Sequence, residues 1–174
     1  MNILYKIKLY LQLLRYRGLK ERSQYSRWGE DSFLVDYFKN TSNGRYIDIG
    51  SFHPFRGSNT YLLYKKGWSG INIDLNPLTI ELFKIARPND INICAAVSSK
   101  KGVKNLFFDH DLSSLNTISK NHTLYIEKAF GTKDLKKKKI KTTTLSNLLK
   151  KEKISKIDFM NIDIEGHELE VLKT

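Results

Sequence analysis

Four side chains that can hold or move protons stand within six residues near the end of the sequence: Asp163, Glu165, His167 and Glu168. They follow an apolar run, residues 157–163, whose pattern predicts a β-strand. Carboxylates and an imidazole can take a proton from a substrate hydroxyl, and they can also bind Mg²⁺ or Mn²⁺. The tight spacing makes it hard for all four to face one ion. We therefore favour proton transfer and predict no metal.

Two strand patterns farther upstream also end in an acid. Residues 45–49 carry Asp48 and lead into a loop, and residues 70–74 end at Asp74. In an open α/β sheet the carboxyl ends of the strands meet at one edge, where ligands bind. The three acid-tipped strands therefore predict one composite site.

The loop after the first of these strands indicates the kind of ligand. Gly50 lets the backbone approach a ligand closely, but the G-x-G-x-x-G fingerprint that cradles a pyrophosphate is absent. An acid in the position of Asp74 accepts hydrogen bonds from ribose hydroxyls. A cofactor with ribose and adenine but no pyrophosphate fits better than NAD or FAD, and S-adenosylmethionine is such a cofactor.

Alternating elements are predicted to position these acids. Strands are predicted at residues 45–49, 70–74, 91–97 and 157–163, and helices at residues 31–39, 59–66, 77–86 and 144–151. This order predicts a parallel sheet with right-handed crossovers. Residues 103–109 read as a further extended piece, and the lysine-rich residues 138–143 read as an exposed edge strand. The polar residues 111–132 are predicted to cover the site as a flap.

The net charge of +12 belongs mainly to two segments. Residues 1–27 carry seven basic residues and one acid, and residues 131–156 carry ten lysines and two acids. Residues 2–17 read as a basic amphipathic helix, with apolar side chains at Ile3, Leu4, Ile7, Leu11 and Leu14. We favour packing of this helix on its own domain or on a partner, and contact with a membrane surface is the alternative. The sequence thus divides into an N-terminal helical segment, residues 1–27, and a domain, residues 28–174.

Composition excludes several protein classes. No apolar run is long enough for a membrane span, no signal peptide is evident, and one cysteine excludes a disulfide framework. The expected location is the cytoplasm, with the inner membrane surface as an alternative through the N-terminal helix. Cys94 is predicted to be a buried, inert thiol.

The other histidines, His53, His110 and His122, are expected to be polar loop residues, and Phe52 and Trp68 to be packing residues.

A set of short motifs follows in a fixed order along the chain and adds to the evidence for a methyl-donor site. They are Ser23-Gln24 with Gly29-Glu30-Asp31, Tyr46–Ser51, Ser58-Asn59-Thr60, Gly67–Asp74 with Asn76-Pro77, Arg87–Asp90, Ala95–Ser98, Thr144-Leu145 and the segment from Ile157 to Leu172 with Asp-Ile-Glu-Gly-His-Glu at its centre. The ordered set resembles the FkbM family of S-adenosylmethionine-dependent methyltransferases, and it covers residues 23–172.

The resemblance implies a Rossmann-like class I methyltransferase fold, a parallel sheet with helices on both faces. It places Asp48 and Gly50 against the methionine part of S-adenosylmethionine, Asp74 and Asn76 at the ribose, and Ala96 at the adenine. Ser51 is a further candidate for cofactor binding. Asp163 would border the methyl-transfer position, with Glu165 and His167 as candidate bases. Family members act mainly on hydroxyls of sugars or polyketides, so a glycan or another small polyhydroxylated substrate is expected.

The resemblance also implies further C-terminal strands, which are missing after residue 174. We therefore expect an incomplete sheet edge that favours self-association. Two rival functions follow from the same features. A non-catalytic methyltransferase fragment is one, and a nucleic-acid-binding or RNA-modifying protein, suggested by the charge, is the other. Nucleic acid is the weaker partner because basic residues interleaved with stacking aromatic residues are absent.

Overall fold

The structure is a computed structural model that describes residues 3–15, 22–110, 113, 115–131 and 135–174. Within these residues the helices are α1 (Ile3–Arg15), α2 (Glu30–Tyr37), α3 (Tyr61–Lys65), α4 (Pro77–Ala86), α5 (Lys120–Phe130), α6 (Leu145–Lys151) and α7 (Glu168–Leu172). The strands are β1 (Arg45–Ile49), β2 (Ser69–Asp74), β3 (Ile91–Cys94), β4 (Ala96–Val97), β5 (Gly102–Phe108), β6 (Lys136–Thr143) and β7 (Phe159–Ile162). Their alternation confirms the predicted α/β class.

The central sheet has four parallel strands in the order β3-β2-β1-β7. Ile47 of β1 lies between Ile71 of β2 and Met160 of β7. The chain builds outward from β1 to β3 and later crosses to the other side of β1 to form β7. Such a change of direction is a topological switch point, which leaves a crevice at the carboxyl ends of the strands. The predicted Rossmann-like arrangement is confirmed.

Helices cover both faces of this sheet. Successive strand residues point to opposite sides, so both faces carry apolar side chains that the helices bury. One face holds the apolar cluster of Ile47, Ile49, Ile71, Ile73, Val97, Leu145, Leu148 and Val171. The other face holds the cluster of Leu34, Tyr46, Leu63 and Trp68, so the predicted packing role of Trp68 is confirmed. Gly70 is required beneath this second cluster, since a Cβ at that position would lie 2.0 Å from the Tyr46 ring.

A second, smaller sheet has the order β4-β6-β5. The predicted strand over residues 91–97 is wrong as a single element, because the chain leaves the central sheet after Cys94 and continues as β4 beside β6. The predicted edge position of residues 138–143 is also wrong. β6 is the central strand of this sheet, since it pairs along its whole length with β5 and at its end with β4.

The prediction that Cys94 is buried is wrong. Its thiol is exposed at the carboxyl end of β3, which is an edge strand of the central sheet among the described residues. The Sγ atom lies 3.7 Å from the carbonyl oxygen of Leu75, and partial desolvation raises the pKa of the thiol. The apolar run that contains the cysteine predicted a strand, but it carried no information on whether that strand has neighbours on both sides.

The N-terminal helix packs on the domain through a narrow stripe. Leu9 of α1 is fully buried, and the helix contacts α4. The predicted apolar side chains that the structure describes are all exposed, namely Leu4, Ile7, Leu11 and Leu14. The side chain of Ile3 and the predicted helical residues 2, 16 and 17 lie outside the described residues. Among the described helices, none is long and apolar enough to cross a membrane.

Candidate functional site

A cavity of about 470 Å³ lies at the carboxyl ends of β1 and β2, where the residues after β7 also converge. Its size falls in the range of small-molecule sites in proteins, about 300–1,000 Å³. Eight of the nine predicted site residues line it: Asp48, Gly50, Ser51, Asp74, Asn76, Ala96, Asp163 and Glu165. The three acid-tipped strands therefore meet at one place, as their patterns predicted.

Gly50 allows the ends of the three strands to come together. Its backbone has a φ of +81°, and a Cβ there would lie only 1.9 Å from the carbonyl oxygen of Asp163. Its amide donates to the carbonyl of Ile73 at 2.8 Å, and the amide of Asp163 donates to the carbonyl of Ile49 at 2.9 Å. Any side chain at position 50 would push β1 and the residues after β7 apart and fill the cavity floor.

Ser51 brings an oxygen to the cavity. Its side chain is buried, and within the described part of the chain its Oγ has no hydrogen-bond partner. A buried hydroxyl without a partner is costly, and a bound ligand can supply the missing hydrogen bond.

Asp74 ties the loop after β1 to the end of β2. Its Oδ2 accepts a hydrogen bond from the Phe52 amide at 3.0 Å, and its Oδ1 accepts one from the Asn76 amide at 2.8 Å. Burial raises the pKa of this carboxyl to about 6, against the two amide hydrogen bonds. Phe52 was expected to be a packing residue, but it lines the cavity with a φ of +53°.

Asp48 lines the cavity, and its buried carboxylate belongs to a polar network. It accepts hydrogen bonds from Thr60 Oγ1 at 2.7 Å and from Asn161 Nδ2 at 2.9 Å. Burial raises the pKa of its carboxyl, and both hydrogen bonds oppose that rise. The two donors hold the carboxylate in a fixed orientation.

Arg87 completes this network, and the sequence placed it only within a family motif, without a role at the site. Its side chain is fully buried, and it donates to Thr60 Oγ1 at 2.9 Å and to Ser58 Oγ at 2.7 Å. It also donates to the carbonyl of Pro54 at 2.5 Å. One guanidinium therefore fixes the loop between β1 and α3, a task that suits the fork of donors of arginine.

Glu165 projects into the cavity from the loop after β7. Its backbone has a φ of +53°, and its carbonyl accepts a hydrogen bond from Thr117 Oγ1 at 2.8 Å. Its Oε2 lies 3.0 Å from Nε2 of His122, an ion-pair contact when the imidazole is protonated. Burial and the charge of Asp163 raise the pKa of Glu165, so its carboxyl holds a proton more firmly than an exposed glutamate does.

His122 was predicted to be a loop residue, and this prediction is wrong. It lies on α5, which Ser119 caps by accepting a hydrogen bond from the amide of residue 122 at 3.3 Å. Asn116 and Thr117, from the predicted flap, line the cavity. Residues 111, 112, 114 and 132 of that flap lie outside the described part of the chain.

His167 is the one predicted site residue that does not line the cavity. Its ring is buried, and its Nε2 lies 3.0 Å from the Oγ of Ser98. Burial lowers the pKa of this imidazole. Glu168 is also occupied elsewhere, because its Oε1 accepts from the amides of Ile164 and Gly166 at 3.3 and 3.1 Å. The position of His167 does not support its expected role as a base, because its buried ring lies against Ser98 and outside the cavity.

His53 is a polar loop residue, as predicted, and it organises the loop after β1. It is buried, and its Nδ1 accepts hydrogen bonds from the amides of Phe55 and Arg56 at 3.1 and 3.0 Å. Burial lowers its pKa to about 4, so the imidazole is neutral at pH 7. His110 is exposed and lies outside the helices and strands, which confirms its predicted loop position. Among the described residues no group of three or more histidine, cysteine or acidic side chains could hold a metal ion.

Four exposed or half-exposed side chains form the rim of the cavity, and no motif pointed to them in this role. They are Arg27, Trp28, Glu30 and Arg56. The guanidinium of Arg27 lies 6.0 Å from the ring centre of Trp28, and that of Arg56 lies 5.8 Å from the ring centre of Phe52. Cationic and aromatic groups thus alternate at the opening.

Comparison with known proteins gives one match. The profile of the Methyltransferase FkbM domain matches residues 48–174, which is most of the chain and includes all predicted site residues. No curated protein and no solved structure matches the chain significantly.

Proposed function

The chain belongs to the FkbM methyltransferase family, and from that premise we propose that it transfers a methyl group from S-adenosylmethionine to a hydroxyl oxygen of a sugar or another small polyhydroxylated substrate. The observation that carries this proposal is the convergence of Asp48, Asp74 and Asp163, from three neighbouring strand ends, on one cavity closed below by Gly50.

The residues at the cavity fit this cofactor. Asp74 would accept hydrogen bonds from the ribose, since each of its carboxylate oxygens accepts one hydrogen bond from the described residues and has the capacity for another. Ser51 offers a hydroxyl that has no hydrogen-bond partner among the described residues, and Ala96 offers a small apolar surface for the adenine.

Charge also favours this cofactor over a dinucleotide. The acids that line the cavity are Glu30, Asp48, Asp74, Asp163 and Glu165, and the basic residues are Arg27 and Arg56. An acidic cavity attracts a ligand that carries a sulfonium and an ammonium group. It repels a pyrophosphate, for which the loop also lacks the glycine-rich cradle.

S-adenosylmethionine, when bound, supplies an electrophilic methyl group. In the proposed reaction Glu165 would take the proton of the acceptor hydroxyl as the carbon–oxygen bond forms and the carbon–sulfur bond breaks, so the products are an ether and S-adenosylhomocysteine, and the proton ends on the carboxylate. The raised pKa of Glu165 suits this task, because a base works best when its pKa lies near the working pH. The Nε2 of His122 lies 3.0 Å from Oε2 of this carboxylate.

The test combines binding and product analysis. Calorimetry should detect S-adenosylhomocysteine binding and no NAD binding. Incubation with S-adenosylmethionine and a panel of sugars and glycans, followed by mass spectrometry, should show addition of a methyl group that survives mild base, as an ether does. Binding of NAD in place of S-adenosylhomocysteine would refute the cofactor, and a base-labile methyl ester would refute transfer to a hydroxyl.

A further inference from the structure

A second groove lies beside the cavity, on the ribbon formed by β5 and β6. Its volume is about 450 Å³, and its lining includes Lys104, Lys120 and Lys139 with Val103, Phe107 and Ile118. Ile118 also lines the cavity, and the neighbouring Thr117 exchanges two backbone hydrogen bonds with Phe107, of 2.8 and 3.0 Å. The groove and the cavity are therefore adjacent and share one wall.

One side of the ribbon is exposed and cationic. Because side chains alternate along a strand, Lys137, Lys139 and Lys141 share one face of β6, opposite Phe107, Asn105 and Val103 of β5. All three lysines are exposed, and they follow one another at intervals of about 6.6–6.8 Å, twice the rise per strand residue.

Among the described residues, no acid forms an ion pair with these lysines. Neither β5 nor β6 contains an aspartate or a glutamate. Among the ion pairs between described residues, none involves a lysine of the ribbon or Lys120. The ribbon therefore attracts anions, whereas the acidic lining of the neighbouring cavity attracts cations. The two surfaces therefore suit ligands of opposite charge.

We propose that the acceptor is an acidic glycan, which lies along the β5–β6 ribbon with its carboxylate, sulfate or phosphate groups on the lysines and extends one sugar past Ile118 into the cavity. This inference rests on the proposed function, and it names the class of the substrate. The ribbon holds the charged chain, and the cavity holds the sugar whose hydroxyl reacts.

The ribbon fits a glycan better than it fits single-stranded nucleic acid. Bases stack on open aromatic rings, but the aromatic rings of the ribbon are covered. The ammonium of Lys137 lies 5.4 Å from the ring centre of Phe107, and that of Lys138 lies 4.8 Å from the ring centre of Phe108. Lysine is a flexible point charge, which suits anionic groups spread along a polymer.

The test compares two double variants of the same strand. Lys139→Gln/Lys141→Gln removes two charges from the proposed face, and Lys136→Gln/Lys138→Gln removes two from the opposite face. Fluorescence anisotropy would measure the binding of labelled polygalacturonate, with dextran as the neutral probe, at low and at physiological salt. Thermal melting would verify folding, and calorimetry with S-adenosylhomocysteine on the same samples would test the proposed cofactor independently.

We expect polygalacturonate to bind in a salt-dependent manner and dextran not to bind. The Lys139/Lys141 variant should bind about five- to tenfold more weakly, the scale of two exposed charge contacts, and the Lys136/Lys138 variant within about twofold of wild type. Equal weakening in both variants, or no binding of polygalacturonate, would overturn the proposal. Tighter binding of polyuridylate or of phosphatidylglycerol vesicles, lost in the Lys139/Lys141 variant, would assign the face to RNA or to a membrane.

Discussion

Replacing Asp74 with asparagine tests the conflict between stability and ligand binding at this site. The residue is half-buried, and the groups that oppose the desolvation of its carboxyl are the amides of Phe52 and Asn76. Its pKa rises from an ordinary value of 3.8 to about 6 in the folded protein. The unfolded chain therefore releases this proton first, and the contribution of Asp74 to stability falls as the pH rises from about 4 to about 6.

The size of the effect follows from this shift. A rise from 3.8 to about 6 corresponds to about 3 kcal/mol of ionisation cost above pH 7. Roughly half of that cost, about 1.4 kcal/mol, arises between pH 5 and pH 7.5. Asparagine does not ionise, so Asp74→Asn removes the whole pH-dependent part. It keeps one carbonyl oxygen, so one of the two amides loses its acceptor, at a cost of about 1–3 kcal/mol that does not depend on pH.

Urea unfolding of wild type and Asp74→Asn at pH 5, 6 and 7.5, followed by tryptophan fluorescence, measures this difference. The free energy of unfolding of the variant relative to wild type should rise by about 1.4 kcal/mol across that range. The exposed Asp109→Asn should show no such trend. In calorimetry at pH 7.5 the Asp74→Asn variant should bind S-adenosylhomocysteine at least about tenfold more weakly, because a charged acceptor is lost. Parallel pH curves for wild type and variant, or unchanged affinity, would refute the reasoning.

Three further predictions concern the base, the strand junction and the N-terminal helix. Glu165→Gln should lower kcat about 10²- to 10⁴-fold with little change in S-adenosylhomocysteine affinity, and the exposed Glu127→Gln should leave both unchanged; similar rates for the two variants would remove Glu165 from the chemistry. Gly50→Ala should lose about 2–4 kcal/mol in urea unfolding, because it adds a backbone clash to the cost of about 1–2 kcal/mol for a side chain at positive φ. Gly57→Ala, which meets nothing within 4 Å, should lose only that smaller cost. If the exposed side of α1 contacts lipid, flotation with phosphatidylglycerol vesicles should fall after Leu11→Asp, and equal flotation of variant and wild type would argue against that contact.

Much of the central fold could be predicted from the sequence, because its signals are local. Apolar runs that end in Asp48, Asp74 and Asp163 marked three parallel strands, and helices with clear start signals separated them. Asn76 and Pro77 predicted the start of α4, and the structure confirms Asn76 as its cap, accepting from the amide of Leu78 at 2.9 Å. The second sheet was harder, since short lysine-rich strands have the same pattern whether they lie at an edge or in the middle.

The sequence by itself determined which acids stand at the ends of strands and that those ends meet, because parallel strands bring their carboxyl ends to one edge. Tertiary structure alone decided which side chains reach the cavity. Glu165 and His167 are two residues apart, yet the loop turns Glu165 inward to His122, 43 positions earlier in the chain, and packs His167 against Ser98. Burial was also decided by tertiary structure: Arg87 is fully buried and Cys94 is exposed, because burial depends on the neighbours that the sheet order supplies. Local spacing carries no information on those neighbours, because they come from distant parts of the chain.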